Sequence, residues 1–292
     1  MNRVVTEAQD AGFRVAIHAL GDRAIDTALN AIEYALRGES NEEHRHQIHH
    51  NSQIRPDQLT RYTELRIAAS VRGYGPTCDQ DAPKDWFGPD RFEWYYNRYA
   101  LPSLQDVHAF AEGDFAWTRD PDDRTSFRPI NPLLTLYGYV TRKQLREDGT
   151  TCDPQPWVAR HKITAEQALR MATIEAAYAA SLDGVLGSLT PGKLADLVVL
   201  SQNPLTVDPD DIKDIEVLLT MMNGRIEYCA QVYASLCSSL EEDHRTSASG
   251  HLYGEPRGDP SILPGEASLG AQSVPTSPRT VPRHEKPYIT RA

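Results

Sequence analysis

The sequence predicts an α/β protein that contains part of a (β/α)8 barrel, followed by a small β module and a disordered tail. Three observations support this prediction. Short apolar strands alternate with amphipathic helices over residues 1–185, as in parallel sheets and barrels. Residues 186–229 carry strand and hairpin patterns instead. Residues 230–292 are rich in Ser, Pro, Gly and charge, with too few large apolar residues for a core.

Composition excludes several functional classes. The 292 residues carry a net charge of −11, which argues against a nucleic-acid or anionic-membrane partner. No apolar run approaches the roughly 18 residues of a membrane span, and residues 1–10 lack the apolar segment of a secretory signal. The four cysteines show neither metal-binding spacing nor the density of a disulfide scaffold. We therefore expect free thiols and a cytoplasmic location.

The first half of the chain is expected to supply four parallel strands. The apolar run at residues 13–17 is typical of a strand buried on both faces. Asp22 can serve as the N-cap of the next helix, and Pro56 sits at the start of another. The remaining strands are predicted at residues 44–50, 67–71 and 107–111. A complete (β/α)8 barrel needs roughly 250 residues and eight strands, so four strands indicate about half a barrel.

The second half contains an irregular segment, two helices and the β module. Residues 73–102 form a long aromatic segment, either a lid or pocket wall or a surface subdomain packed on itself. Helices are expected at residues 132–145 and 164–182, the second with a capping box between Thr164 and Gln167. The β module should contain strand–turn–strand at residues 187–200 and a hairpin at residues 217–228.

Two histidines and one carboxylate are expected at the ends of different strands. His18 closes the first strand, where it could be structural or bind a metal. His46 and His50 lie four residues apart and should share a face with Ile48; an exposed His-rich edge is the alternative. Asp114 follows the fourth strand and could bind metal, act as a base or cap the next segment. Together these groups predict a hydrolytic, zinc-type site.

Several motifs resemble one known family. Residues 18–26 resemble the HAxGDxAxD signature of the amidohydrolase superfamily, in the branch that contains N-substituted formamide deformylases. The resemblance extends over residues 1 to about 229. Further matching motifs are RHxIEH at residues 45–50, NPLL…VTR at residues 131–142, and the C-terminal patterns at residues 173–178 and 186–197.

This resemblance implies a metal-dependent hydrolase of carbon–nitrogen bonds other than peptide bonds, on a TIM barrel with an attached β-sandwich. By motif match, His18 would be the metal ligand of barrel strand five and His50 that of strand six. Asp114 would be both a metal ligand and the strand-eight carboxylate that takes the proton from the activated water. The metal expected from the family is zinc, and the substrate a small amide-type molecule.

Other matched positions imply a substrate rim, and some family positions have no counterpart. Asp22, Arg23, His49 and Trp117 are candidate rim residues. His49 stands where the family has a glutamate, which changes the hydrogen bonding behind the ligands. The family's strand-one HxH pair and its lysine or acidic ligand near strand four find no match ahead of His18.

The incomplete ligand set leads to three alternatives for function. The first is the C-terminal portion of an amidohydrolase, with little or no turnover by this chain alone. The second is a non-catalytic remnant that assembles with itself or with a complementary N-terminal half. The third is a binding domain that uses the aromatic residues 86–99.

Overall fold

A four-stranded parallel sheet lies at the centre of the computed structural model, and its strands follow one another in chain order. The structure describes residues 1–73, 81–89, 91–112, 131–145, 149–231, 234 and 237, all within a unit spanning Met1–Ser238. The predicted alternation of strands and helices is confirmed. The strands are β1 (Ala16–Leu20), β2 (Gln47–Ser52), β3 (Ala68–Arg72) and β4 (His108–Glu112), and the first helices are α1 (Asn2–Asp10), α2 (Asp22–Leu36), α3 (Asn41–His44) and α4 (Pro56–Glu64).

One face of the sheet packs against α2 in the apolar core. Ile25, Leu29 and Ile32 recur at helical spacing and are fully buried. They pack in one cluster with Ile48 of β2 and Val71 of β3. The spacing of apolar residues in the sequence therefore identified the buried face of this helix correctly.

The sequence predicted a strand buried on both faces, but the edge strand β1 is buried on only one. Phe13 lies before the strand and is 68% exposed. Ala16, His18 and Leu20 are exposed on the face away from α2. Gly21, with φ 111°, occupies the N-cap position of α2 that was predicted for Asp22.

A bulge near the end of β2 changes the direction of His50. His50 and Asn51 have φ of 68° and 54°, and the pairing shifts from Ala19 opposite His50 to Leu20 opposite Ser52. The Asn51 amide donates to the carbonyls of Ile48 (2.8 Å) and Ser70 (2.7 Å). These bonds hold the left-handed backbone in place.

The predicted face shared by His46, Ile48 and His50 is therefore wrong. His46 precedes β2 and is fully buried, and its Nδ1 accepts the backbone N–H of Val15 at 3.2 Å. Its Nε2 lies 2.9 Å from Oε1 of Gln9. His46 is thus a structural residue.

The described part of the aromatic segment packs into the core. It forms α5 (Asp81–Phe87) and a 3-10 helix (Phe92–Ser103). Tyr96 and Tyr99 are buried there, and the amide of Asn97 donates to the carbonyl of Ile54 at 2.7 Å. Tyr96 and Tyr99 are therefore core residues, whereas Trp86 is 66% exposed, and the binding domain that would use residues 86–99 stays a prediction.

The rest of the described chain contains short helices, a pair of two-residue strands and a second sheet. Helix α6 ends four residues earlier than predicted, and the helix predicted at residues 164–182 divides at Thr173. The capping box of Thr164 and Gln167 is confirmed. The elements are α6 (Pro132–Thr141), the pair β5 (Gln144–Leu145) and β6 (Thr151–Cys152), α7 (Pro156–Ala159), α8 (Ala165–Ala172), α9 (Ile174–Ala180) and a 3-10 helix (Pro209–Asp214).

The second sheet is antiparallel and contains three strands. They are β7 (Leu197–Leu200), β8 (Val217–Met222) and β9 (Arg225–Cys229). The turn at Asn223-Gly224 joins β8 to β9, as predicted. The first strand expected in residues 187–200 is absent from this sheet as the structure describes it.

The described cysteines are oxidised, so the prediction of free thiols is wrong for them. Cys229 and Cys237 form a disulfide, and Cys152 is also disulfide-bonded. The cytoplasmic location stays a prediction. In the part of the chain that is described, no helix is long and apolar enough to cross a membrane.

We predict that His46 makes stability depend on pH. Burial, followed by the charge of His44, lowers the pKa of His46 to about 4 from its ordinary 6.5. The unfolded chain therefore binds a proton between these values while the folded chain does not. The free energy of unfolding should fall by up to about 3 kcal/mol as the pH drops from 7 to 4.

Urea denaturation at several pH values tests this expectation. His46→Gln, which cannot titrate, should show a shallower loss of stability than the wild type over this range. The same substitution at His44, whose charge makes only the smaller contribution to the shift of His46, is the comparison and should keep most of the wild-type pH dependence. Equal pH dependence in His46→Gln and the wild type would contradict the prediction.

We predict that Asn51 is needed for the stability of the bulge. Asn51→Ala removes two buried hydrogen bonds to carbonyls and leaves the Tyr62 hydroxyl without its acceptor at 2.5 Å. Alanine at this position would also keep the unfavourable positive φ but lack the side-chain hydrogen bonds that stabilise it in asparagine. The free energy of unfolding should fall by about 2–4 kcal/mol in chemical denaturation.

Two companion variants separate the causes. Asn51→Gly should be about 1 kcal/mol more stable than Asn51→Ala, because glycine adopts positive φ without strain. Tyr62→Phe removes only the hydroxyl and should cost about 1 kcal/mol. Wild-type stability in Asn51→Ala would show that the bulge does not depend on this side chain.

Candidate metal centre

The two predicted histidine ligands face each other at the carboxyl edge of the parallel sheet. His18 Nδ1 and His50 Nε2 lie 2.7 Å apart, and the ring centroids are separated by 4.5 Å. His18 is exposed, whereas the His50 side chain is only 11% exposed. The bulge in β2 produces this arrangement by turning His50 away from the side of Ile48.

A carboxylate that the sequence analysis missed holds His50 from the other side. Glu112, the last residue of β4, lies 2.5 Å from Nδ1 of His50 and accepts the backbone N–H of His50 at 3.1 Å. Ser70 also donates to Glu112, and Arg72 donates from 3.3 Å. The available signal was a charged residue ending a mostly apolar strand, two positions before Asp114.

The surroundings of Glu112 stabilise its charged form. Burial by itself would raise the pKa of this carboxyl. Hydrogen bonds from His50 and Ser70, together with the charges of His50 and Arg72, instead lower the pKa to about 2.

His49 lies beside the histidine pair, on the same face as His18. The ring centroids of His18 and His49 are 5.8 Å apart. His49 also contacts Phe110 edge to face, with ring centroids 5.6 Å apart. His49 Nε2 lies 2.9 Å from Oε1 of Gln47. Burial lowers the pKa of His49. The negative charge of Glu112 opposes this effect, and the smaller contributions of His18 and His50 add to it.

The other predicted rim residues have different positions. Asp22 begins α2 and lies 3.9 Å from the guanidinium of Arg55, and Arg23 is exposed. Asp26, the last residue of the same motif, accepts two bonds from Arg55 at 2.7 and 3.1 Å, so its role is structural. Asp114 and Trp117 lie outside the described residues.

The histidine pair fits two positions of a divalent metal site. Imidazole nitrogen suits zinc, copper, iron and nickel. Two nitrogen ligands of a tetrahedral zinc lie about 3.3 Å apart for bonds of about 2.05 Å, so the rings must separate slightly, and the exposed position of His18 leaves room for this. Within the described ranges, no three His, Cys, Asp or Glu side chains form a group that could hold a metal.

Comparisons with known proteins identify the family of this chain. The model of the amidohydrolase family matches residues 1–228. The chain is 32% identical to the protein LONG AFTER FAR-RED 3 of Arabidopsis thaliana over 221 residues, which cover 76% of this chain and 35% of that protein. It is 26% identical to the N-substituted formamide deformylase of Arthrobacter pascens, covering 77% of this chain and 38% of that protein.

One solved structure with a similar fold is an uncharacterized metal-dependent hydrolase from Pyrococcus horikoshii OT3. The TM-score is 0.52 at 25% identity, and the match covers 72% of this chain and 38% of that one. The chain therefore spans well under half the length of these relatives. Since the family model covers most of the sequence, this chain belongs to the amidohydrolase family.

Proposed function

We propose that His18 and His50 are two ligands of a divalent metal, zinc by family expectation, in a hydrolase of carbon–nitrogen bonds other than peptide bonds. The observation that carries this proposal is the approach of His18 Nδ1 to His50 Nε2 at the carboxyl edge of the sheet. The names of two relatives support it, one a formamide deformylase and the other a metal-dependent hydrolase.

The chain's own residues suggest which group would take each role in the reaction. A divalent metal would polarise the substrate carbonyl and activate water. Asp114 follows the last residue of β4 by two positions, and we propose it as a further ligand and as the group that accepts the proton from water. Asp22, Arg23, His49 and Trp117 are proposed to border the binding site of a small amide-type substrate.

The architecture proposed for this chain is the C-terminal half of a barrel in residues 1–185, a β-sandwich fragment in residues 186–229, and a tail in residues 230–292 that is disordered beyond the disulfide-bonded Cys237. The faces of the parallel sheet support the first part. Its α2 side is apolar, whereas His18, His49, Ser70 and Glu112 give the other side the polar character of a barrel interior with a site.

Assembly is the second candidate function, and β1 favours it. This strand is at the edge of the described sheet, and Leu20 is 64% exposed. A second copy, or a complementary N-terminal half, could cover this face. Light scattering after size exclusion should then show a defined dimer or a defined heterodimer, and a stable monomer at high concentration would contradict it.

The metal proposal predicts the effect of removing each histidine. Cobalt and zinc affinity, measured by competition with a chromophoric chelator, should fall in His18→Ala and in His50→Ala. The loss should exceed about 100-fold because a direct ligand is removed. Losing a residue that only hydrogen-bonds to a ligand costs at most about 100-fold. His44→Ala is the control and should retain wild-type affinity, since His44 lies in α3 before β2.

Equal metal affinity in the wild type, His18→Ala and His50→Ala would overturn the proposed ligands. Turnover is measured separately, as formate release from N-substituted formamides. The two imidazoles that are brought together form only part of a ligand set, so we expect little turnover by this chain alone. Rapid metal-dependent turnover would contradict that expectation.

A further inference from the structure

We infer that Glu112 is a positioning residue that fixes the tautomer of His50, with the proton on Nδ1 and the Nε2 lone pair directed towards His18. This inference deepens the proposed function and rests on it for the role of the metal. The carboxylate lies at the end of β4, and its side chain is 10% exposed. It reaches His50 through the ring and through the backbone N–H.

The hydrogen-bond partners of Glu112 require both of its carboxylate oxygens to act as acceptors. Oε1 accepts a hydrogen bond from the guanidinium of Arg72, and Oε2 accepts one from the backbone N–H of His50. Both of these groups can only donate. The Ser70 hydroxyl accepts the same backbone N–H at 3.0 Å, so its own proton is directed to Oε2.

The contact between Oε1 and His50 Nδ1 therefore requires a proton on the nitrogen. In a neutral imidazole, a proton on Nδ1 leaves Nε2 with a free lone pair. Nε2 is the atom that faces His18 Nδ1 at 2.7 Å. A carboxylate on the outer nitrogen of a histidine ligand also increases the basicity of the inner nitrogen and fixes the ring.

The opposite tautomer would be the default without this carboxylate. An unconstrained neutral imidazole favours the proton on Nε2, which would block the lone pair needed by a metal. The hydrogen bond to the outer nitrogen decides which nitrogen is free. Glu112 therefore matters for metal binding without being one of the ligands.

The chain contains a second histidine–carboxylate pair that serves as a matched control. His108 begins β4, and its Nδ1 lies 2.9 Å from Oε2 of Glu175. The ring of His108 stacks on Tyr178 with centroids 3.7 Å apart. This pair has the same chemistry at the opposite end of the strand, away from His18 and His50.

Nitrogen-15 NMR of the histidine rings in the full metal-free chain tests the inference directly. Spectra recorded near pH 8.5, where neutral imidazoles predominate, identify the protonated nitrogen, and His50→Asn assigns the signals. Wild-type His50 should carry its proton on Nδ1. A proton on Nε2 would overturn the inference without any variant of Glu112.

Glu112→Ala and Glu175→Ala then separate positioning from general stability. In Glu112→Ala the His50 proton should move largely to Nε2, and cobalt affinity should fall about 10- to 100-fold. Glu112→Gln keeps one acceptor oxygen and should give an intermediate result. Glu175→Ala should change the His108 signals and leave cobalt affinity within about twofold of the wild type.

The outcomes distinguish this inference from the proposed function. An unchanged His50 tautomer in folded Glu112→Ala overturns the inference even if the wild type binds cobalt. A changed tautomer with unchanged cobalt affinity overturns the role in metal binding. A wild-type chain that binds no cobalt overturns the proposed function, whereas the tautomer still decides the role of Glu112 towards His50.

Discussion

The left-handed backbone at His50 and Asn51 determines where the groups of the candidate metal centre lie. Regular pairing between β2 and β3 includes only the first two residues of each strand. Beyond that point, the Asn51 amide bonds the carbonyl of Ser70 and replaces the backbone ladder. Asparagine suits this position because its short polar side chain tolerates positive φ and hydrogen-bonds locally. Without the bulge, strand alternation would direct His50 to the side of Ile48.

The two edges of the parallel sheet have different roles. At the amino edge, the amide of Gln47 donates to the carbonyl of Ala179 in α9, and His108 pairs with Glu175. These contacts close that end of the polar face. The carboxyl edge instead presents His18 and His50 at the ends of neighbouring strands. Parallel α/β sheets generally place chemistry at this edge, since the loops there vary without disturbing the core.

Features of the fold that depend on neighbouring residues in the sequence were predicted correctly. The helical spacing of Ile25, Leu29 and Ile32 predicted the buried face of α2. The location of His18 and His50 at one edge of the sheet was also predictable, because neighbouring parallel strands end at the same edge. The β2 bulge was not, since it depends on bonds from Asn51 to a carbonyl 19 residues away.

Other differences have the same origin in contacts between distant parts of the chain. Glu112 could not be distinguished from an ordinary exposed strand end, because its partners His50 and Ser70 lie 62 and 42 residues earlier. The disulfide of Cys229 and Cys237 requires the chain after β9 to turn back, which spacing alone does not reveal. Sequence reasoning thus predicted the two histidines of the candidate metal centre but not the groups that orient them.

The order of the strands has a consequence for folding. Each strand of the parallel sheet pairs with the strand that precedes it in the chain, so during synthesis the sheet can extend in one direction from β1. His50 precedes Glu112 by 62 residues, and Glu112 lies on the strand that pairs with β3 at the other edge of the described sheet. The contact of Glu112 with the His50 ring can therefore form only once β4 has paired with β3.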